Sequence, residues 1–130
     1  MLKEGKVLHP ELSYRLNGIL FKVHNVLGRF RNEKQYGDAL EAEFKNNRIK
    51  FEREKILPIS FVGEESYRNK VDFIIEDTII LEIKAKRIIE RADYFQLKRY
   101  LVSSQRELGI LVNFQQKYLV TKRVLNAIHS

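Results

Sequence analysis

Two stretches near the middle of the chain alternate between apolar and polar residues in the manner of β-strands. They are Val71–Ile75 and Thr78–Ile83, and both are rich in β-branched residues. The break between them, Glu76 and Asp77, is typical of a tight turn. The pattern therefore predicts a β-hairpin over residues 71–83.

Charged residues interrupt one face of this hairpin. Because side chains alternate across a strand, Glu82 and Lys84 are expected to project from the same face as Ile80. Asp72 and Glu82 each lie about five residues from the turn, so pairing of the two runs brings their carboxylates together. The opposite face of the second run is entirely apolar and carries Ile79, Leu81, Ile83 and Ala85.

Two carboxylates and a lysine on an otherwise apolar strand pair are costly to bury without a partner. A divalent cation between Asp72 and Glu82 removes this cost, and carboxylate oxygens are hard ligands that suit Mg²⁺. The alternative is a cross-strand salt bridge between Lys84 and one of the acids, which contributes little to stability when exposed.

Apolar spacings of three and four predict two helices before the hairpin. The first spans about residues 11–27 and ends at Gly28. Its only histidine, His24, is expected to pack in the interior rather than bind a ligand. The second begins at Asn32, a good N-cap, and runs to about residue 47. Glu33 falls in its first turn, where a carboxylate complements the helix dipole.

The rest of the chain predicts short strands and one more helix. Pro58 restricts residues 50–61 to an edge strand or a strand end. The expected order is α-α-β-β-β-α-β-β, and a helix between the hairpin and a later buried strand implies a mixed α/β sheet. The predicted elements are strands at 67–75 and 78–86, a charged helix at 87–104, strands at 108–114 and 117–120, and a strand or short helix at 121–128.

Composition narrows the classes of function. The 130 residues are expected to form one domain, 1–130, and the formal net charge of +7 favours anionic partners, nucleic acid first and membrane surfaces second. The chain has no cysteine, which excludes disulfides and thiolate metal sites. We found no apolar run that approaches a membrane span, so a cytoplasmic location is expected.

The arrangement of Asp72, a ten-residue gap and then Glu82-Ile83-Lys84 resembles the core motif of PD-(D/E)XK nucleases. The resemblance implies that Asp72, Glu82 and the Ile83 carbonyl ligate Mg²⁺ or Mn²⁺. Lys84 is then expected to orient the attacking water or to neutralise the transition state. It also implies a restriction-endonuclease-like αβββαβ core, with a mixed sheet flanked by helices, over about residues 9–125.

Residues 12–44 look like the GxxExxY branch of the same superfamily, with Glu33 and Tyr36 at its name-giving acid and tyrosine. Phe30 stands where the branch usually has glycine. The resemblance implies that Glu33 serves the metal site. Gln96 and Tyr100 resemble the QxxxY element that follows ExK in RecB-like nucleases, in which the glutamine positions the substrate or the lysine.

Together these resemblances imply Mg²⁺-dependent hydrolysis of phosphodiester bonds, with DNA favoured over RNA and no membrane partner. The alternative is a catalytically inactive module of the same fold that binds nucleic acid or a protein partner. The sequence leaves the oligomeric state open, a homodimer included. The residues expected to bind nucleic acid are Tyr100, Lys86, Arg87, Arg91, Lys98 and Arg99.

Overall fold

The two predicted N-terminal helices are present almost where the pattern placed them. In the computed structural model, which describes residues 9–126, α1 spans Pro10–Leu27 and α2 spans Glu33–Asn46. Asn32 caps α2 as predicted, because its Oδ1 accepts a hydrogen bond from Gln35 N at 2.9 Å, while Gln35 Oε1 accepts one from Asn32 N at 3.0 Å. This reciprocal capping box fixes where α2 begins.

A five-stranded mixed sheet follows, in the spatial order β1-β2-β3-β4-β5. The β3–β4 pair is parallel and is connected through helix α3, whereas the other three pairs are antiparallel. The predicted order of elements and the mixed sheet are therefore confirmed. The elements are β1 (Phe51–Ile56), β2 (Lys70–Ile75), β3 (Ile79–Lys84), α3 (Arg91–Ser104), β4 (Leu108–Asn113) and β5 (Thr121–Leu125).

The predicted turn between β2 and β3 is also present. Glu76 and Asp77 have φ angles of 51° and 54°, and Thr78 N donates to Ile75 O at 2.9 Å. Two consecutive left-handed residues give the turn a twist that matches a hairpin. The register that follows pairs Phe73 with Leu81 and thereby fixes which residues of the two strands lie side by side.

Each face of the sheet is covered by helices, so the fold has three layers. The face toward α1 and α2 buries the apolar side of the hairpin, including Phe73, Leu81 and Ile83. The other face buries Ile74 and Ile80. The residues that α3 contributes to this second core are Leu97, Tyr100 and Leu101. Charged residues on the α3 side of β3 consequently lie close to a helix.

Several details differ from the sequence prediction, and the helix predicted at 87–104 begins only at Arg91. The strand predicted at 117–120 is wrong, because the chain bends there and only Leu119 turns inward; the apolar signal came from this one buried side chain. Strand β2 starts at Lys70 instead of residue 67, since a long loop occupies 57–69. β5 confirms a strand at the end of the chain, although the last residues of the range 121–128 lie outside the described part.

His24 packs in the interior, as predicted. It is buried, and its Nε2 lies 2.8 Å from Gln116 O, so the histidine tethers α1 to the loop after β4. Between residues 9 and 126 we find no helix with the length and apolarity needed to cross a membrane.

Candidate active site

The two acids of the hairpin lie side by side across β2 and β3. The pairing of Phe73 with Leu81 places Asp72 opposite Glu82. Asp72 N donates to Glu82 Oε1 at 3.0 Å, and Ile83 N donates to Asp72 Oδ2 at 2.8 Å. Each carboxylate therefore accepts a backbone hydrogen bond from the other strand, which fixes both side chains where β2 and β3 begin to diverge.

Burial makes this pair of acids electrostatically unfavourable. Glu82 is only 4% exposed, and burial, followed by the nearby charge of Asp72, raises its pKa well above the usual value. Burial also raises the pKa of Asp72, although the hydrogen bond from Ile83 N opposes the shift. Two ionised carboxylates at this position are destabilised unless positive charge joins them, so the pair either holds a proton or attracts a cation.

Lys84 projects from the same face and is held by α3. Its Nζ donates to Gln96 Oε1 at 3.0 Å and lies 3.9 Å from Asp93 Oδ1. The structure thus brings together the lysine and the glutamine that the sequence singled out. Asp93 was not foreseen: it is buried in the first turn of α3, where its carboxylate accepts a hydrogen bond from Glu90 N at 2.8 Å. The acid three residues after Glu90 was the sequence signal for this capping position.

The residues expected to contact nucleic acid divide into two groups. Lys86 Nζ is 3.0 Å from Asp93 Oδ2 and 3.1 Å from Glu90 Oε1, so carboxylates already neutralise it. Tyr100 is buried in the core under α3, where burial and then the charge of Glu82 raise its pKa to about 12. The other four side chains of this set are exposed: Arg87, Arg91, Lys98 and Arg99.

A cleft of about 160 Å³ opens beside Asp72 and Ile83. Glu33 lines it from the start of α2, and Glu54 lines it from the edge strand β1. Because liquid water occupies about 30 Å³ per molecule, the cleft has room for several waters. Glu33 is therefore on the same cleft as Asp72, although one belongs to helix α2 and the other to the sheet.

Glu54 was missed by the sequence analysis. It has a φ of 52° within an otherwise regular edge strand, and its charge contributes to the raised pKa of Asp72. Nothing in the local pattern distinguishes this glutamate from its neighbours, since its proximity to Asp72 depends on how β1 pairs with β2. The neighbouring Arg53 is engaged elsewhere, with Nη1 at 2.8 Å from Asp38 Oδ1.

The donor set suits a hard divalent cation with several open positions. Asp72 and Glu82 provide two adjacent carboxylates with unbalanced negative charge, and Ile83 provides a backbone carbonyl next to them. Within residues 9–126, no three acidic, histidine or cysteine side chains converge closely enough to enclose a metal ion. A site built on two carboxylates leaves the remaining positions to water or substrate, as Mg²⁺ sites generally do.

Tyr36 holds the loop before α2 and does not reach the cleft. Its side chain is fully buried and stacks on Phe114, with ring centroids 4.3 Å apart. Tyr36 Oη donates to Gly28 O at 2.6 Å and accepts from Arg31 N at 3.3 Å. The tyrosine therefore fixes the chain that leads into Glu33.

The fold and the acid pair together define a class of protein. A family model of the PD-(D/E)XK nuclease superfamily matches residues 10–124, and the chain belongs to this superfamily. Nucleases of this superfamily generally use Mg²⁺ or Mn²⁺. The predicted restriction-endonuclease-like fold is confirmed. The narrower assignment to the GxxExxY branch stays a prediction.

One solved structure supports the same fold. The protein in "Crystal structure of SSO0001" is 25% identical and superimposes with a TM-score of 0.57, over 91% of this chain. This chain spans 57% of the length of that one. A search of curated proteins gave no match.

Proposed function

We propose that the protein is a metal-dependent nuclease that hydrolyses phosphodiester bonds, with DNA as the favoured substrate. The observation that carries the proposal is the pair of adjacent carboxylates of half-buried Asp72 and buried Glu82, which lies on the same sheet face as a lysine held by Gln96. Acids with raised pKa values are candidates for chemistry because maintaining them costs stability, and Asp72 also lines the cleft.

In this proposal Asp72, Glu82 and the Ile83 carbonyl hold Mg²⁺ or Mn²⁺. The bound cation supplies positive charge for the phosphate and lowers the pKa of a coordinated water. Lys84 then has a fixed ammonium beside the acids, because Gln96 accepts one of its hydrogen bonds at 3.0 Å. Its remaining donors orient a water or a phosphate oxygen, and a positioned group of this kind stabilises charge that develops during the reaction.

Glu33 and the exposed cations have supporting roles. Glu33 lies on the cleft, where it would accept hydrogen bonds from waters around a bound cation, in keeping with the family resemblance to the GxxExxY branch. Arg87, Arg91, Lys98 and Arg99 are exposed on and just before α3, the helix that supplies Gln96. We assign them to the nucleic-acid backbone, where each contact with a phosphate releases counterions and makes affinity fall with salt.

Cleavage with and without Mg²⁺ tests the proposal. Purified protein is incubated with end-labelled single-stranded and duplex DNA in Mg²⁺ or in EDTA. We expect cleavage only with the cation, and its loss in Asp72→Asn and Lys84→Met. Glu43→Gln is the matched control, because it removes a carboxylate of a salt bridge with Lys22 at the other end of α2 from the cleft.

The same assay distinguishes a nuclease from the alternative, a catalytically inactive module that binds nucleic acid. If the wild type binds DNA in a salt-dependent manner but cuts no substrate with Mg²⁺ or Mn²⁺, the protein is a binding module. Equal cleavage by the wild type and all site variants points to a contaminating nuclease and contradicts the site.

A further inference from the structure

An exposed aromatic side chain lies in the loop that leads to the cleft containing Asp72. Phe30 belongs to the loop between α1 and α2 and is 84% exposed. Glu33, three residues further along, lines the cleft. Single exposed apolar residues are common on protein surfaces, so exposure alone does not make Phe30 a binding residue. The case for binding rests on the anchored loop that carries Phe30 and on the cations next to it in the chain.

The loop around Phe30 is anchored on both sides. Tyr36 Oη donates to Gly28 O at 2.6 Å on one side and accepts from Arg31 N at 3.3 Å on the other. Because Tyr36 is fully buried, these bonds attach the loop to the core. Phe30 is thus presented to the outside from a backbone that the core holds in place.

The same anchor connects the loop to the strand of the acid pair. The ring of Tyr36 stacks on Phe114 at an interplanar angle of 11°, and Phe114 N donates to Lys84 O at 2.8 Å. Lys84 follows Glu82 on β3 by two residues. One continuous set of contacts therefore fixes the position of Phe30 relative to the residues proposed to cut the substrate.

Cations precede and follow Phe30 along the chain. The guanidinium of Arg29 lies over Phe30, with its central carbon 5.1 Å from the ring centroid. None of Arg29, Arg31 and Lys34 forms an ion pair with another residue of the described chain, unlike Arg53 on the other side of the cleft. Their charges are available to phosphates. Aromatic rings interleaved with unpaired cations are the arrangement that binds single strands, because bases stack on the rings while phosphates contact the cations.

We propose that Phe30 is a stacking platform for a nucleobase of a single-stranded segment that enters the cleft. In a duplex both faces of each base are stacked on neighbours, so the platform favours substrates with an unpaired end or flap. This inference rests on the proposed function for its purpose, but it is tested by binding, which needs no cleavage. Charge contacts by Arg29 and Arg31 hold the backbone on either side of the stacked base.

Binding in EDTA, where no cleavage is expected, tests the platform. Fluorescence anisotropy is measured with labelled oligothymidylate, with an abasic oligonucleotide of equal length, and with a blunt duplex. Stacking of one base typically contributes about 5- to 150-fold in affinity. We therefore expect Phe30→Ala to weaken binding of oligothymidylate within this range and to leave binding of the abasic strand and the duplex almost unchanged.

Tyr14→Ala is the matched control. Tyr14 is 81% exposed and lies on α1, about 20 Å along the helix axis from Gly28. We expect it to have no effect on any of the three probes. Equal weakening of all three probes by Phe30→Ala, or no weakening of oligothymidylate, overturns the platform. A shift of the wild type to dimer that Phe30→Ala abolishes also overturns it, since the ring would then be an interface between copies.

A fluorescence measurement provides an independent test. The chain contains no tryptophan, so Phe30→Trp introduces a single fluorophore at the site. Stacking is expected to quench it on titration with oligothymidylate but not with the abasic strand, whereas Tyr14→Trp should respond to neither. Failure of the proposed function gives a different result: quenching and base-dependent binding persist while Mg²⁺ supports no cleavage. Cleavage without quenching leaves the nuclease assignment in place and contradicts the platform.

Discussion

Replacing Glu82 with glutamine should stabilise the metal-free protein at neutral pH. Glu82 Oε1 accepts a hydrogen bond from Asp72 N at 3.0 Å, and the amide oxygen of glutamine can accept it equally well. The substitution removes the buried charge and keeps the shape. Wild-type protein in EDTA must instead either ionise Glu82 in the interior or hold a proton there against the bulk pH.

The direction in which stability changes with pH follows from the raised pKa of Glu82, which is caused first by burial and then by the nearby charge of Asp72. Because the folded state binds this proton more tightly than the unfolded state, the contribution of Glu82 is most favourable below the unfolded pKa of about 4.5. It is lost progressively as pH rises toward the folded pKa. The free energy of unfolding falls by about 1.4 kcal/mol for each pH unit in this window.

For a domain of this size, about 1.4 kcal/mol corresponds to a change of roughly 4–7 °C in Tm. Thermal unfolding in EDTA from pH 5 to 8 should therefore show the wild type losing stability relative to Glu82→Gln by about this amount per pH unit, up to the folded pKa. Burial opposes a lowered pKa at Asp93, but the hydrogen bonds from Glu90 N and Lys86 outweigh it, so the pKa of this carboxyl is lowered. Groups of this kind affect the stability of both proteins equally and cancel in the comparison.

Glu43→Gln is the control, since it removes a carboxylate from a salt bridge with Lys22 and should not increase stability at high pH. Saturating Mg²⁺ should reduce the advantage of Glu82→Gln, because the cation stabilises only the ionised acid pair. A wild-type Tm that rises from pH 5 to 8 relative to Glu82→Gln, or a variant less stable than wild type at pH 8, refutes the reasoning.

Three further substitutions probe the scaffold and the cleft. Gly109→Ala should lower the free energy of unfolding by about 1–3 kcal/mol in chemical denaturation, because an added Cβ would lie 2.7–2.9 Å from the side chain of Leu97. Tyr36→Phe should cost about 1 kcal/mol in the same assay, since two backbone groups of the loop before α2 lose their partner. Glu33→Gln should slow Mg²⁺-dependent cleavage at least about tenfold, as expected for a group that orients ligands of a metal site, with little change in the metal-free Tm.

Gly109→Ala and Glu33→Gln each have a control on the same chain. Gly18→Ala adds a Cβ on the exposed side of α1 that meets nothing within 4 Å, so it should stabilise by about 0.5–1 kcal/mol rather than destabilise. Glu43→Gln, at the other end of α2, should leave cleavage unchanged. Full activity of Glu33→Gln at limiting Mg²⁺ would show that Glu33 only complements the dipole of α2 and takes no part in metal binding.

Local periodicity predicted the elements that carry the site. Alternation placed Glu82 and Lys84 on one face, and the positions of the turn residues fixed the register well enough to bring Asp72 next to Glu82. Both inferences need only neighbouring residues, because the hairpin is a local structure. The spacing of Gln96 from Lys84 was a weaker guide to their contact. Helix α3 packs back on β3, the strand that precedes it, and brings the two side chains together.

Contacts between distant segments could not be predicted in this way. Glu54 approaches Asp72 only because β1 pairs with β2 across a long loop, and Asp93 reaches the lysines only after α3 packs on the sheet. The assignment of Lys86 to nucleic acid likewise did not foresee its pairing with Asp93 and Glu90. The false strand at 117–120 arose because a single buried leucine in a loop resembles the end of a strand.

Binding of Mn²⁺ followed by electron paramagnetic resonance tests the central claim most directly, because the signal of free Mn²⁺ falls as the protein takes up the ion. The account predicts saturable binding by the wild type, near-complete loss of it in Asp72→Asn and in Glu82→Gln, and wild-type binding by Glu43→Gln. Competition by Mg²⁺ should release the bound Mn²⁺. Undiminished binding in both site variants would show that the cation is held elsewhere and would contradict the assignment of Asp72 and Glu82 as its ligands.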